Sequence, residues 1–265
     1  MSMTVPAGID VNVPNAARMY DYYLGGKDNF AADRAAAEAV LAVAPEMRAA
    51  AASGRALIER VVNHLVRERG IRQILDLGSG LPAAKNVHEF AQAAHPDARV
   101  VYVDYDDVVC THGRFLLTDP GRARIVHRDF LEPETILQDP EVTGLLDFDQ
   151  PVAVLMMFLL HLVPDSAHPH DAVAEYRKAL APGSYLAISH AANDARPDYM
   201  ARISDIYERA NTPFTPRDRP SIEAFFGDFV FEAPGLVNIW PHEALPAGVD
   251  PELARTGYGG VARKP

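Results

Sequence analysis

The sequence predicts an α/β protein built on a doubly wound, mostly parallel sheet, and three observations carry that prediction. Between residues 73 and 189, short apolar strand patterns alternate with helical ones, the order that winds a parallel sheet. Residues 152–160 form one continuous apolar run, as expected of a central strand buried on both faces. Asp76-Leu-Gly-Ser-Gly80 places two glycines where the first strand gives way to a helix.

The elements follow in order. Residues 1–13 read as a loose tail. Asn15 is placed to cap a helix in which Ala16, Met19, Tyr20, Tyr23 and Leu24 recur at helical spacing, stopped by Gly25-Gly26. Residues 30–44 are an alanine-rich helix broken by Pro45, and a further helix carries the stripe Leu57, Ile58, Val61, Val62, Leu65 and Val66 up to Gly70. Residues 1–70 therefore read as a helical N-terminal extension and lid, and 71–265 as the sheet domain. Strands are expected at 73–77, 99–103 (ending in Asp104), 124–127, 152–160 and 184–189, with helices at 83–94, 108–117 and 171–180. Helices at 197–211 and 221–226 come next, then short strands at 237–240 and 258–262 that suit an antiparallel hairpin at the sheet edge.

The chain has 265 residues, 48% of them hydrophobic and 23% charged, ordinary values for a globular protein with a sizeable core. No apolar run reaches the ~18 residues a bilayer span needs, and the first residues show neither a basic nor an apolar signal region. The single cysteine, Cys110, excludes an internal disulfide and suits a reducing cytoplasm. A net charge of −11 with dispersed basic residues argues against nucleic acid and for a small-molecule partner; the oligomeric state is not readable.

The glycine turn points to a ligand, and Asp76 points to its class. Gly78 and Gly80 let a ligand approach the main chain, and the helix beyond them would add free N–H groups. An acid at position 76 faces a dinucleotide's pyrophosphate unfavourably but suits a cationic amino-acid tail, which favours S-adenosylmethionine over NAD. Asp104, 24 residues after Gly80, is placed to accept from ribose hydroxyls or to cap the next helix. Asp129 is placed to accept from an adenine amino group, with Phe130 covering the base; a helix cap and a core ring are the alternatives. Ser79 and Tyr105 fall within the same turns and join the candidate set.

Ile74-Leu-Asp-Leu-Gly-Ser-Gly80, Val101-Tyr-Val-Asp104, Arg128-Asp129 and the run Val154 to His161 resemble the ordered motifs of class I S-adenosylmethionine-dependent methyltransferases. Pro14-Asn-Ala-Ala-Arg-Met-Tyr-Asp-Tyr-Tyr-Leu-Gly-Gly-Lys-Asp-Asn-Phe30 resembles the N-terminal signature of an actinobacterial S-adenosyl methyltransferase family, DUF574, as do Leu81-Pro82, Asn86-Val-His-Glu89 and Ala181-Pro-Gly-Ser184. The resemblance implies a Rossmann-like sheet of seven strands with the last antiparallel, and cofactor contacts at Asp76, Gly78, Gly80, Asp104 and Asp129. It implies no substrate. Pro82 departs from the usual third glycine and fits the first helical turn. No Asn-Pro-Pro-Tyr follows the fourth strand, so the motif for methylating base or amide nitrogens is missing.

The N-terminal cassette is unusually polar, with Tyr20, Asp21, Tyr22, Tyr23, Lys27, Asp28 and Asn29 within ten residues. It reads as a lid over the strand ends, with Tyr20, Tyr23 and Lys27 on the cofactor; the alternative is that the two rings anchor the helix to the core. Methyl transfer from an activated sulfonium needs alignment first and a base only for a protonated acceptor. His161 and His190 follow the fourth and fifth strands and, with Tyr20, are the catalytic candidates; a histidine bonded to a loop carbonyl is the alternative. His64, His168 and His170 show no ligand spacing, so no metal is expected. Phe158, Leu159, Phe214, Phe225 and Phe226 hint at a partly apolar acceptor. The rival functions are a non-catalytic sensor that keeps the nucleoside pocket and an NAD-dependent oxidoreductase.

Overall fold

The computed structural model describes residues 10–239, 252 and 255–265. Five parallel strands form the sheet's centre: β1 (Gln73–Leu77), β2 (Arg99–Asp104), β3 (Ala123–His127), β4 (Ala153–Met157) and β5 (Tyr185–Ala191). They continue into β8 (Gly257–Arg263), antiparallel to β5, and β6 (Val230–Phe231), giving the order β3-β2-β1-β4-β5-β8-β6. The seven expected strands are present, among them the antiparallel β8 and β7 (Val237–Asn238), which pairs with it, and β6 is the eighth. Strand order reverses between β1 and β4, and ligands of such sheets bind at the carboxyl ends of the strands on either side of that reversal.

Alternation along each strand separates two cores. Leu75, Leu77, Val101, Val103, Val154 and Met156 face one side, covered in part by α8 (Pro169–Ala179) and α10 (Arg219–Ala224). Ile74, Val100, Tyr102, Ala153 and Leu155 face the other, covered by the second half of α3 (Met47–Asn63), α4 (Val87–Ala94) and α5 (Asp107–Leu116). Short helices α6 (Pro133–Leu137) and α7 (Pro140–Thr143) fill the crossover from β3 to β4. A third cluster lies apart: α1 (Ala16–Tyr23), α2 (Ala31–Val43) and the start of α3 pack on α9 (Pro197–Arg209) through Met19, Tyr23, Val40, Ile203 and Tyr207. The N-terminal helices thus share their core with a helix that follows β5.

Four expectations are corrected. The helix expected over 83–94 begins only at Val87, where Asn86 and Glu89 cap it reciprocally; Pro82 therefore lies in a loop, and that helix's N-terminus is not at the glycine turn. The strand expected over 152–160 stops at Met157, because Phe158 takes a left-handed φ of 59° and a short helical turn, Leu160–Leu162, follows. The final strands do pair as proposed, Val237 opposite Gly259 and Asn238 opposite Tyr258, yet β8 lies inside the sheet with β5 on its other flank. The last residue of that hairpin, Trp240, and the first nine of the expected tail lie outside the described residues. The two-residue β6 carries too little pattern to be read from sequence.

Candidate functional site

The turn after β1 hooks over the end of β2. Val103 O accepts from Gly78 N at 2.8 Å and Ser79 N at 3.2 Å, and the Asp104 carboxylate accepts from Gly80 N at 2.9 Å and Asp106 N at 3.0 Å. Gly78 and Gly80 adopt φ of 67° and 66°, a region glycine enters without a steric penalty. Their surroundings differ. A Cβ on Gly78 would meet Leu159 Cδ1 at 2.4 Å, whereas one on Gly80 would meet nothing within 4 Å. Gly78 is demanded by packing, and Gly80 keeps a space open. Asp106, not Asp104, caps α5, accepting from Val108 N at 2.7 Å. That leaves Asp104 facing the turn, its pKa lifted to about 6 by burial against the opposing pull of its backbone donors.

A cavity of about 420 Å3 opens above these strand ends, within the ordinary range for a small-molecule site. Of the candidate residues, Gly78, Ser79, Gly80, Asp104, Tyr105 and Asp129 line it, as do Phe130, Tyr20, Tyr23 and His161. Ser79 Oγ is sealed in the protein with no hydrogen-bond partner among the described residues, an uncommon state for a buried hydroxyl. Asp76 sits just behind the wall, 6% exposed and lifted to a pKa of about 7 chiefly by burial, with the Arg55 guanidinium pulling the other way. Arg55, on α3, lines the cavity and donates to the Lys85 carbonyl. Asp129 accepts from Leu131 N at 2.9 Å rather than capping a helix. Phe130 is both wall and core: it is 6% exposed within the α8-side cluster, and its carbonyl accepts from Tyr176.

The polar cassette of residues 14–30 resolves differently. Arg18 Nε meets both Asp33 oxygens at 3.0 and 2.9 Å, and Asp33 also accepts from Asn15 N and Phe30 N. Asp21 accepts from Asp28 N and from Asn29 Nδ2, clamping the Gly25-Gly26 turn. The density of polar groups is therefore spent on fixing the cassette's own shape. Lys27 is exposed and does not line the cavity, so the sequence reading of Lys27 as a cofactor contact is corrected. Tyr20 and Tyr23 satisfy both alternatives, since they line the cavity and are anchored. The Tyr20 hydroxyl donates to Ala51 O at 2.9 Å and burial pushes its pKa to about 12, so it is a poor proton acceptor.

The two histidines separate. His190 is fully buried and off the cavity, with Nε2 accepting from Arg217 and Nδ1 facing the Ala191 carbonyl at 2.7 Å, which corrects its candidacy as a catalytic base. His161 lines the cavity, but its Nδ1 accepts from Ala191 N at 3.3 Å, and burial, aided by Arg217, lowers its pKa to about 3. It is a neutral ring whose proton sits on Nε2, a donor and not a base. Arg217, which sequence reasoning missed, is the buried clamp behind them: it also donates to Leu160 O and Val163 O at 2.8 Å and pairs with Asp165 at 2.7 Å. No spacing signal marks it. Arg55 was missed because its helix joins the site only through the tertiary fold. Of the apolar hints, Phe158, Leu159 and Phe214 line the cavity, whereas Phe225 and Phe226 belong to the α8-side core.

The sequence model of a family described as S-adenosyl methyltransferase matches residues 2–265. A candidate methyltransferase from Thermobifida fusca YX is 39% identical, with 99% of each chain covered and a TM-score of 0.91. A DUF574 family protein from Streptomyces avermitilis is 36% identical over 97% of this chain and 99% of its own, with a TM-score of 0.90. An O-methyltransferase family protein from Burkholderia thailandensis, 16% identical over 84% of this chain and 61% of its own at a TM-score of 0.50, shares the fold alone. None of the curated proteins matches.

Proposed function

The chain belongs to the S-adenosyl methyltransferase family, whose cofactor is S-adenosylmethionine, and from that premise we propose that it methylates a small-molecule acceptor held between the ends of β4 and β5 and the α1–α9 cap. The observation that carries this reading is the turn Gly78-Ser79-Gly80, with open space above Gly80 and its N–H held on the Asp104 carboxylate at the cavity wall. Those features fit a polar ligand laid along the strand ends. When bound, S-adenosylmethionine supplies a methyl group already activated on sulfur.

The residues divide the work by chemistry. Asp76 and Arg55 offer opposite charges to the zwitterionic amino-acid tail. Asp104 keeps lone pairs for ribose hydroxyls although each of its oxygens already takes one backbone donor. Asp129 takes the adenine amino group, while Tyr105 and Phe130 cover the base. Tyr20 and Tyr23 close the cavity from the cap and exclude water, and His161 orients the acceptor by donation. Among the described residues no helix is long and apolar enough to cross a membrane.

Calorimetric titration with S-adenosylmethionine, S-adenosylhomocysteine and NADH tests the reading. Saturable binding of the first two and none of NADH is expected. Binding of NADH in their place would overturn it. Tight S-adenosylmethionine binding with no demethylated product across broad acceptor screens would turn the protein into a sensor.

A further inference from the structure

The half of the cavity beneath the cap holds hydrogen-bond donors that have nothing to donate to. His161 Nδ1 is occupied by the Ala191 N–H, so the ring proton sits on Nε2, and no described group accepts it. The Tyr23 and Tyr207 hydroxyls face each other at 3.3 Å, and neither bonds elsewhere among the described residues. Whichever donates, one O–H is left over. Both tyrosines and His161 line the cavity, and His161 Nε2, unpartnered yet not among the sealed atoms, is reachable from inside it. A buried donor without an acceptor is unfavourable, which makes the space selective for a ligand that brings the acceptor.

The walls specify the rest. Tyr207 and Phe214 stack with centroids 4.8 Å apart and 24° between planes, and His161 meets Phe214 edge-on at 5.4 Å. Tyr20 and Phe158 form a second stacked pair at 6.3 Å. Carboxylates are absent from this half or engaged: Asp104 ends β2, Asp106 and Asp129 belong to the loops after β2 and β3, and Glu46 accepts from the Tyr199 hydroxyl. The nearest buried charge behind the histidines is the positive Arg217.

We propose that this half takes a flat hydroxyaromatic acceptor and holds it as its oxyanion, between His161 Nε2–H and a hydroxyl of the Tyr23–Tyr207 pair. The inference rests on the methyltransferase reading and narrows its substrate. The acceptor's hydroxyl proton leaves to solvent on binding. The oxyanion lone pair then forms the new O–CH3 bond while the C–S bond pair returns to sulfur, so no protein base is consumed. His161, held neutral, and Tyr207, held protonated at a pKa of about 12, are both donors toward that oxyanion, and their hydrogen bonds must offset the burial that disfavours its charge.

The test uses the full chain and chromogenic probes of one shape. Para-nitrophenol and 7-hydroxycoumarin are titrated by absorbance at fixed pH, with para-nitroaniline and para-nitroanisole as matched controls. Each titration is run with S-adenosylhomocysteine and with sinefungin, which carries an ammonium where the sulfonium would be. We expect the ratio of ionised to neutral phenol to be about tenfold or more higher in the bound state than in buffer, higher still with sinefungin, and the controls to bind more weakly. His161→Phe and Tyr207→Phe should each lose most of that rise while keeping S-adenosylhomocysteine affinity, and His161→Gln, which restores a donor, should recover part of it. Bound phenol that stays neutral, controls that bind as well, or no binding of either phenol would each overturn the proposal. Loss of S-adenosylhomocysteine binding by the unaltered protein would instead overturn the methyltransferase reading.

Discussion

Replacing Asp76 by asparagine probes the amino-acid end of the cofactor site through a sign that depends on pH. Burial, with Asp104 adding and Arg55 opposing, lifts the Asp76 pKa from 3.8 to about 7. The folded value lies above the unfolded one, so the folded protein holds this proton more tightly. Below the unfolded value the neutral acid carries no ionisation penalty. The penalty grows as pH rises from there and is complete above the folded value. At 1.36 kcal/mol per unit, the gap is worth on the order of 4 kcal/mol, an upper figure because a buried site relaxes. Asparagine cannot ionise and escapes the penalty. Ligand-free Asp76→Asn should therefore gain stability over the unaltered protein by roughly 2 to 3 kcal/mol more at about pH 8 than at about pH 5. A cationic ammonium beside the carboxylate reverses the preference. S-adenosylmethionine affinity should rise with pH up to about 7 in the unaltered protein, and be flat and roughly ten- to a hundredfold weaker in the variant. Chemical denaturation and calorimetry at the two pH values read both quantities. Equal stability changes at both, with S-adenosylmethionine affinity unaltered, would refute the placement of this acid.

Four further changes bear on the same site and its cap. Gly78→Ala forces a Cβ to 2.4 Å from Leu159 at a φ of 67° and should lower stability by about 2 to 4 kcal/mol. Gly80→Ala meets nothing and should lose only about 1 kcal/mol in denaturation while still weakening S-adenosylmethionine binding; equal losses in the two would contradict the packing argument. Ser79→Ala removes a sealed, unpartnered hydroxyl, so the ligand-free melting temperature should hold or rise; a clear fall in thermal shift would show that this hydroxyl has a partner. Deleting residues 1–29 strips Met19 and Tyr23 from the cap core and bares Ile203 and Tyr207, so aggregation or loss of a cooperative melt is expected; a soluble, cooperatively melting truncation would show that α9 stands without α1.

What the sequence made legible follows from the range over which each signal acts. The glycine turn, Asp104 and the central strands are set by local pattern and recur in the structure at the expected residues. Asn15 caps α1 as its spacing predicts, accepting from Ala17 N and Arg18 N. Illegible features depend on contacts between distant segments. Arg55 reaches the site only because α3 packs against α1 and α4, and Arg217 stands behind His161 and His190 from a loop 27 residues beyond His190. His161 and His190 occupy equivalent strand-end positions in the sequence, and only the tertiary environment decides that one lines the cavity and the other is locked behind it. Lys27 looked functional because its neighbours are polar, yet those neighbours bond to one another.

The cassette's chemistry also decides how the proposed lid would move. A Gly-Gly pair reads as a hinge, but Gly25 N donates to Tyr22 O, Gly26 N donates to Asp21 O, and a Cβ on Gly26 would collide with the Asp21 carboxylate at 1.9 Å. Gly26 is there because the Asp21 side chain occupies the space beside it, so this turn is clamped. Flexing α1 alone would break that clamp and the buried Arg18–Asp33 pair together, and exposing an ion pair's partners one at a time is the costly way to open a protein. Moving α1, α2 and α9 as one unit keeps both intact and preserves the shared core of Met19, Tyr23, Val40, Ile203 and Tyr207. Ligand exchange is then governed by the contacts between that unit and the strand ends, which run through Tyr20, Phe158 and Phe214. On the proposed reading these residues face the acceptor, so an occupied cavity and a closed cap would stabilise each other by mass action, with no separate hinge required.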